Sequence, residues 1–433
     1  MQNPLRTMGV IAMGRFDSVD FFSDTSLVNH PYDYFEWLRE RGPVVLLDQY
    51  PVAAVVGYDE ALAVYRGDED FSAVNAATGP FDLPFEVGSA PDITPQIEEY
   101  RSSVPYGALL VTQDPPSHAK SRGLLMGMIT PRRLRENEEF MWTLADRQID
   151  EFVERGRFEA IGDYAQPYAT LVIADLLGVP DSDRDGFRQL LGPVPGQLDR
   201  SKQGGNNPLE QIGVYFFNYL TDRRANPQKD VLTQLAQARY PDGSEPSVVD
   251  VVTIAAFLFG AGQDTTVRLL AAALRFLAED PELQRKVRKD RALIPGLVEE
   301  VLRLEGPVKS DYRLARRPVT IGGVEVPAGT TVMQLLHAIN RDPRRFERPN
   351  EFILGRKNVK EHLAFGRGIH ACVGAPLARA EAKVSLERLF DRTEDIRLDE
   401  RKHGPPQERR FEYEPSFIMR GLKELHLEIT PAR

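Results

Sequence analysis

Hydrophobic residues in the first part of the chain are spaced as short helices and strands require. Residues 30–41 place apolar side chains on one side of a helix, and apolar runs at 44–47 and 53–56 predict two strands joined by a turn. Residues 75–112 scatter aromatic side chains among prolines and glycines. A loop of that length in a compact protein is usually functional or disordered, so we expect an irregular segment there.

The middle of the chain has a helical pattern. Helices are predicted at 133–155 and 164–177, and residues 247–279 predict one long helix. Ser247 precedes this helix, and Asp250 follows three residues later, which is the pattern of a helix N-cap. The centre of the long helix is apolar on all sides, so we expect it to run through the core.

The rest of the pattern predicts a connection, three strands and a last helix. Residues 192–208 collect glycine, proline, asparagine and lysine, which is typical of a mobile connection. Short β-rich runs at 319–321, 324–326 and 330–335 predict strands. The last helix is predicted at 375–389.

These elements together predict an α+β fold that is mainly α. We expect one domain over residues 1–433. Its β-rich part is predicted at about 40–80 and 310–340, and its helical part at about 113–307 and 340–395.

Charge and composition exclude several classes of protein. The net charge of −10 makes nucleic acid an improbable partner, because a phosphate backbone would be repelled. The single cysteine cannot form an internal disulfide, which fits a reducing compartment. The first 16 residues lack the apolar stretch of a signal peptide, and the apolar run at 251–262 is too short to span a bilayer. We therefore expect a cytoplasmic monomer that does not bind a membrane.

The single cysteine lies in an unusual segment. Residues 365–379 read F-G-R-G-I-H-A-C-V-G-A-P-L-A-R, with Cys372 between glycines that allow tight bends and ahead of a helix whose first amides stabilise a thiolate. A lone cysteine is more often buried and inert. This segment, however, resembles the haem-binding loop of cytochromes P450, F-G-x-G-x-H-x-C-x-G-x-x-L-A-R, at every specified position.

The resemblance implies a cofactor and a fold. The cofactor is haem b with Cys372 as the axial thiolate, in a triangular helical prism with small β-sheets around the buried haem. The same resemblance assigns further haem contacts to Phe365, Gly366, Gly374 and Ala261.

The family also has an E-x-x-R pair ahead of the strands, and Glu300 and Arg303 match it. Residues three apart share a helix face, so the two side chains are expected to pair and to lock the scaffold of the haem loop. The family often adds an arginine in a P-x-R-F segment. Here Glu351 takes that place, so Arg356 is only a candidate for the third member.

The long helix contains a second match. Residues 261–265 read A-G-Q-D-T and resemble the oxygen-activation motif of the family. The resemblance assigns proton delivery to Asp264 and Thr265. Taken without the rest of the chain, the glycine of this motif, Gly262, would equally indicate a site where another element of the fold packs closely against the helix.

Cations at family spacing are expected to meet the haem propionates. Residues 114–122 read D-P-P-S-H-A-K-S-R and supply His118 and Arg122, four apart on one helix face. Arg313 and His370 match two further propionate-binding positions. Each of the four alone is more often an ordinary surface cation.

The family reaction is monooxygenation with O2, most simply a hydroxylation, and the electrons are supplied by a ferredoxin and a ferredoxin reductase that draws on NAD(P)H. A basic patch near the cysteine side could bind an acidic ferredoxin, or could equally be a solvated helix start. The patch comprises Lys120, Arg122, Arg132, Arg133 and Arg135.

The substrate is expected to be a hydrophobic small molecule of the terpenoid, steroid, fatty-acid or aromatic class. The recognition segments of the family correspond to residues near 75–110, 192–208, 257–261 and 308–310. The candidates for the pocket are Phe81, Phe85, Leu109, Phe257, Val308 and Lys309.

Lys309 stands where related proteins place an apolar side chain. One hypothesis is that it anchors a carboxylate or carbonyl of the substrate. The favoured expectation is that Lys309 extends to solvent or pairs with Asp311.

Two rival functions are open. A peroxide-driven haem enzyme on the same fold would not need the Asp264–Thr265 pair. A haem-binding sensor or carrier without turnover, which is a different class of protein, would need Cys372 but neither Asp264 nor Thr265. A zinc or iron–sulfur site is disfavoured, because a single cysteine cannot supply the clustered thiolates that such sites usually use.

Overall fold

The structure is a computed structural model that describes residues 16–88, 90–104, 106–127, 129–188, 198, 208–240 and 242–432. The predicted connection at 192–208 lies outside the described residues, apart from positions 198 and 208.

Helices make up about half of the fold, in agreement with the prediction of a mainly α protein. The helices are α1 (Ser26–Asn29), α2 (Tyr32–Arg41), α3 (Tyr58–Arg66), α4 (Thr94–Tyr100), α5 (Ser117–Met126), α6 (Pro131–Asp150), α7 (Gln166–Leu176), α8 (Arg184–Arg188), α9 (Pro208–Ala225), α10 (Val231–Ala236), α11 (Val248–Glu279), α12 (Pro281–Lys289), α13 (Ile294–Glu305), α14 (Leu336–Ile339), α15 (Ala375–Arg392) and α16 (Glu400–His403).

The strands of the described residues form three sheets. The strands are β1 (Val44–Leu47), β2 (Val52–Val55), β3 (Phe71–Ser72), β4 (Arg157–Glu159), β5 (Ser310–Ala315), β6 (Val319–Ile321), β7 (Val324–Val326), β8 (Thr331–Leu335), β9 (Thr393–Leu398) and β10 (His426–Pro431).

The largest sheet joins the two β-rich stretches that the sequence predicts. Its order is β1-β2-β8-β5-β3, and β2 runs parallel to β8 while the other pairs are antiparallel. The strands after residue 310 therefore complete a sheet that begins near residue 44. Strands β6 and β7 form a separate hairpin.

A second sheet, of order β4-β10-β9, was not predicted. Strand β4 has three residues and lies within the part predicted as helical, and β9, with three charged residues among six, follows directly after α15. Two other expectations were wrong in detail. Residues 75–112 contain the helix α4, whose Ile97 is buried, and α16 follows the helix predicted as the last.

The long helix α11 begins as predicted. The Ser247 side chain accepts a hydrogen bond from the Asp250 backbone N–H at 3.1 Å, and Asp250 accepts one from the Ser247 N–H at 3.1 Å. Within the described residues, α11 is the one helix long and apolar enough to cross a membrane. It packs against α7, α9, α13 and α15, as the core helix of a helical protein does, so this property is weak evidence of a membrane span.

Candidate active site

The cysteine loop is folded tightly against helix α3. Cys372 donates its backbone N–H to the Phe365 carbonyl at 2.9 Å, which closes the loop. Gly366 and Gly368 have φ angles of +64° and +70°, in the left-handed region that favours glycine. A Cβ on Gly368 would lie 2.2 Å from the Tyr65 carbonyl oxygen, so no larger residue fits there without a shift of backbone.

The Cys372 thiol is surrounded by protein and yet accessible. Burial raises its pKa, while backbone N–H groups of Gly374 and Ala375 donate to the sulfur and lower it, with help from the charges of Arg122 and Arg379. These are the N-terminal amides of α15 that the sequence predicted. The side chain nevertheless keeps exposed surface, so its sulfur is open to a ligand.

Four basic side chains, two histidines and two arginines, meet beside this loop. The His118 and His370 rings lie 4.1 Å apart, and Arg122 donates to the Ala371 carbonyl of the loop at 2.7 Å. Burial, with the charge of Arg122, lowers the pKa of His118 to about 4. Burial, with the charges of Arg313 and His118, lowers the pKa of His370 to about 2. The structure therefore places the four predicted side chains close enough to influence one another's pKa values.

This cluster fits an anionic group. His118 is buried, and within the part of the chain that the structure describes its Nε2 atom has no hydrogen-bond partner. Arg313 is also buried and uses Nη1 for Asp311, at 3.1 Å, and for the Tyr312 carbonyl. The charged guanidiniums of Arg122 and Arg313 would be stabilised by a counter-charge, and the two histidines, whose lowered pKa values leave them neutral, can donate a hydrogen bond to it. The carboxylates of a haem would supply such a group.

Helix α11 presents an accessible face along its centre. Phe257, Gly260, Ala261, Asp264 and Thr265 are half-buried, whereas the residues between them are mostly buried. Their spacing of three and four residues places them on one side of the helix. The two predicted proton carriers therefore lie on the same face as the predicted haem contact Ala261.

The polar groups on this face have definite partners. Thr265 donates its hydroxyl to the Ala261 carbonyl at 2.8 Å, and Asp264 accepts from Arg268 Nε at 2.8 Å. The alternative reading of this motif as a packing site also has support. A Cβ on Gly262 would lie 3.1 Å from Ile173 on α7, so the glycine lets the two helices approach.

Two polar residues near this face were missed by the sequence analysis. Glu381 on α15 is fully buried and accepts from the Thr266 hydroxyl at 2.8 Å. Burial raises the pKa of Glu381 to about 8. Arg268 could have been found from its spacing of four residues after Asp264 on a helix, whereas the Thr266–Glu381 contact joins distant segments and has no local signal.

The Glu300–Arg303 pair is buried and has a third member. Arg303 donates Nε and Nη2 to Glu300, each at 2.8 Å, and both side chains are 0% exposed. Arg356 donates Nε to the same carboxylate at 3.0 Å. Glu351 points its carboxylate to the surface, where it pairs with Arg348 at 3.1 Å.

Lys309 does not behave as expected. Both favoured alternatives, extension to solvent and pairing with Asp311, were wrong. The side chain is 4% exposed and donates Nζ to the Ser416 carbonyl at 2.6 Å, while Asp311 pairs with Arg313. Burial lowers the pKa of Lys309 to about 7.

The other candidates for the substrate pocket are distributed over the molecule. Phe81 and Phe85 pack in a small hydrophobic cluster with Ile97, separate from the helical core that includes Phe257. Leu109 is half-buried. Val308 packs between two further clusters.

The predicted basic patch is divided. Arg122 is half-buried and bound to the cysteine loop, as described above. Lys120 and Arg132 are exposed, and each already has an acidic partner, Asp242 at 3.2 Å and Glu136 at 2.8 Å. Arg133 is half-buried and Arg135 is exposed.

Comparison with known proteins places this geometry in a family. The cytochrome P450 family model matches residues 216–410. Cytochrome P450 144 of Mycobacterium tuberculosis is 32% identical over 430 residues, 95% of this chain and 92% of that protein. Cytochrome P450 monooxygenase PikC of Streptomyces venezuelae is 32% identical over 401 residues, 91% of this chain and 90% of that protein.

A solved structure is also similar. The substrate-free form of Mycobacterium marinum cytochrome P450 CYP150A6 superposes with a TM-score of 0.91 at 52% identity, covering 96% of this chain and 100% of that one. The chain therefore belongs to the cytochrome P450 family, whose members are monooxygenases that hold haem b through an axial cysteine thiolate.

Proposed function

We propose that this protein hydroxylates a hydrophobic small molecule in the cytoplasm, with O2 as the oxygen source and electrons from a ferredoxin and its reductase. The observation that carries this proposal is the Asp264–Thr265 pair on the accessible face of α11. A peroxide-driven enzyme or a haem sensor would not need a carboxylate and a hydroxyl there.

Cys372 is the residue that would hold the haem iron. It is the only cysteine of the chain, its sulfur is accessible, and two backbone amides donate to it. The haem, when bound, supplies the O2 and electron chemistry that the protein side chains lack. Phe365, Gly366 and Gly374 shape the loop around this sulfur.

His118, Arg122, Arg313 and His370 would bind the haem propionates. The support is their convergence and the buried His118 Nε2 atom, which has no partner within the described residues. An anion next to this nitrogen would provide the missing acceptor and offset the positive charges of Arg122 and Arg313.

Asp264 and Thr265 would handle protons. Asp264 binds Arg268 through Oδ2, which leaves Oδ1 to gain and lose a proton, and its side chain is 41% exposed. Thr265 Oγ1 donates to the Ala261 carbonyl and retains its lone pairs, so it can accept a hydrogen bond from the Asp264 side. Its own proton becomes available when the hydroxyl rotates away from that carbonyl.

Glu300, Arg303 and Arg356 would hold the scaffold of the cysteine loop. All three are buried, and both arginines bind the Glu300 carboxylate. None of the three lies on the accessible face of α11. Together with the continuous pairing between the first and last strands of the large sheet, this network supports the proposal of one domain over residues 1–433.

The electron donor would bind near the start of α5 and α6. Lys120, Arg132, Arg133 and Arg135 give this surface a local positive charge in a protein of net charge −10. Acidic ferredoxins would be attracted to such a surface, and the attraction would weaken at high salt. Arg122 is better assigned to the haem, because it is bound to the cysteine loop.

The substrate would be a terpenoid, steroid, fatty acid or aromatic compound. The accessible face of α11 offers Phe257 and Ala261. Val308, which lies shortly before Arg313 in the sequence, is half-buried. Apolar walls of this kind favour hydrophobic ligands with few polar groups.

The experiment has two stages. A library of the four compound classes is first titrated against the holoenzyme, and ligands are identified by the change in spin state. The ligand with the largest change is then turned over with NADPH and a surrogate ferredoxin–reductase pair. We expect Thr265→Ala to consume NADPH at a similar rate while product per NADPH falls several-fold.

Thr143→Ala is the matched control. Thr143 also donates its hydroxyl to the carbonyl four residues earlier, at 3.3 Å, but on the exposed face of α6. It should leave product per NADPH unchanged. Fully coupled turnover by Thr265→Ala would contradict the proposed relay, and product formed from peroxide alone, with no dependence on Thr265, would favour the peroxide-driven alternative.

A further inference from the structure

Asp264 has a fixed partner on its own helix. Arg268 lies one turn later on α11 and donates from Nε to Asp264 Oδ2 at 2.8 Å. The two side chains differ in exposure, 5% for Arg268 and 41% for Asp264. A guanidinium that is shielded from water needs a counter-charge more than an accessible carboxylate does, so Arg268 is the partner that depends on this bond.

The C-terminal segment closes the space around Arg268. A Cβ on Gly421 would lie 2.2 Å from Arg268 Nη1 and 2.7 Å from its Cγ, so the backbone at this glycine lies directly against the guanidinium. The side chain is therefore enclosed along its length and has little room to change rotamer.

On its other side, Arg268 borders a cavity of about 10 Å³, room for about one water molecule, that is also lined by Arg275, Arg420 and Glu305. Glu305 is bound to Arg420 at 2.9 Å. Within the described residues, Asp264 is the one carboxylate that lies within ion-pair distance of Arg268.

We propose that Arg268 is a positioning residue that fixes the Asp264 carboxylate for proton transfer. This inference rests on the proposed proton role of Asp264. With Oδ2 held by Arg268, the free Oδ1 keeps a constant orientation relative to the accessible face of α11. Arg268 itself does not exchange the proton, because a guanidinium stays charged at any working pH.

The test uses the holoenzyme variants Arg268→Met, Asp264→Asn and the double variant. Turnover with NADPH and the surrogate ferredoxin–reductase pair is measured in H2O and in D2O, with the library compound of largest spin-state change as the probe. We expect Arg268→Met to slow turnover several-fold and to raise the solvent isotope effect. Arg268→Lys, which keeps a cation that can reach Asp264, should recover most of the rate.

The double variant separates positioning from a merely structural role. If Arg268 acts through Asp264, the double variant has the rate of Asp264→Asn alone. If Arg268 had only a structural role, the double variant would turn over more slowly than Asp264→Asn alone. The shifts of the urea midpoint for the same three variants provide a readout other than activity, and they should also be non-additive.

Two further variants serve as cross-checks. Gly421→Ala keeps every charge but displaces the Arg268 guanidinium, and it should raise the solvent isotope effect in the same direction, which keeps the test valid if Arg268→Met folds poorly. Arg285→Met removes an exposed cation that pairs with Glu282 on α12 and should change nothing.

The outcomes distinguish the inference from the proposed function. If Asp264→Asn changes neither the rate nor the isotope effect, the proton role of Asp264 fails and this inference falls with it. If Asp264→Asn is slow but Arg268→Met and Gly421→Ala behave as wild type, the proton role stands and the positioning role is overturned. Additive losses in the double variant, or faster turnover by Arg268→Met, would overturn it as well.

Discussion

We predict that replacing Arg356 with methionine lowers the free energy of unfolding by about 3 to 5 kcal/mol. The Arg356 side chain is 4% exposed and donates to Glu300 at 3.0 Å. It also donates to the carbonyls of Glu347 at 2.5 Å, Glu351 at 3.1 Å and Arg348 at 3.2 Å. Methionine retains much of the apolar volume but none of these bonds.

The magnitude follows from what is left behind. Loss of one partner of a buried ion pair costs about 3–5 kcal/mol. The lost bonds to the three carbonyls add little, because Glu347 and Arg348 are exposed to water and the Glu351 carbonyl keeps its bond from Arg303 at 3.0 Å. Glu300 still has both bonds from Arg303 at 2.8 Å, so its charge is not left alone. Because Arg303 still compensates the Glu300 charge, we expect the total loss in the free energy of unfolding to stay within the range for one lost ion-pair partner.

Arg348→Met is the matched control. Arg348 lies in the same segment, is 57% exposed and pairs with the exposed Glu351, so its loss should cost at most about 1 kcal/mol. Urea unfolding of the holoenzymes, followed by circular dichroism and by the haem absorbance, measures both variants. Equal losses for the two variants would refute the assignment of Arg356 to the Glu300 network.

Two further predictions concern the neighbourhood of the cysteine loop. Because burial raises the pKa of Glu381 from 4.5 to about 8, its protonated form stabilises the fold at low pH, and this contribution is lost as the pH rises from about 4.5 through 8. Glu381→Gln should therefore remove a decline in the urea midpoint between pH 5 and pH 8, and an unchanged pH dependence would argue against it. Gly368→Ala should lower haem content after expression several-fold, since its Cβ would meet the Tyr65 carbonyl at 2.2 Å, whereas Gly296→Ala, whose Cβ has open space, should not.

Much of the fold was predictable because the relevant signals are local. The capping box at Ser247 and the apolar centre of the long helix follow from residues three and four apart, and α11 begins and ends within a residue of the prediction. The strands near residues 320 and 325 are short β-rich runs separated by two glycines and bounded by prolines. The sheet of β4, β9 and β10 was missed because its strands are short or highly charged and pair across the whole chain.

The site residues that belong to a family motif were predictable from the sequence. The contacts that join segments far apart in the chain were not. The family pattern located the four cations and the cysteine loop, which the structure brings together. The contact of Arg356 with Glu300 depends on the path of the chain between residues 347 and 356. Because Glu351 occupies the position where the family often has an arginine, the sequence could name Arg356 only as a candidate. Lys309 was predicted wrongly because its acceptor, the Ser416 carbonyl, lies 107 residues away.

The absorption spectrum of the reduced protein with carbon monoxide tests the central claim most directly. The account predicts a Soret band with the red shift that a thiolate ligand gives, because Cys372 is the only cysteine and its sulfur receives two backbone amides. Cys372→His should bind haem and lack that shift. A wild-type Soret band in the unshifted position would contradict the assignment of Cys372 as the axial ligand.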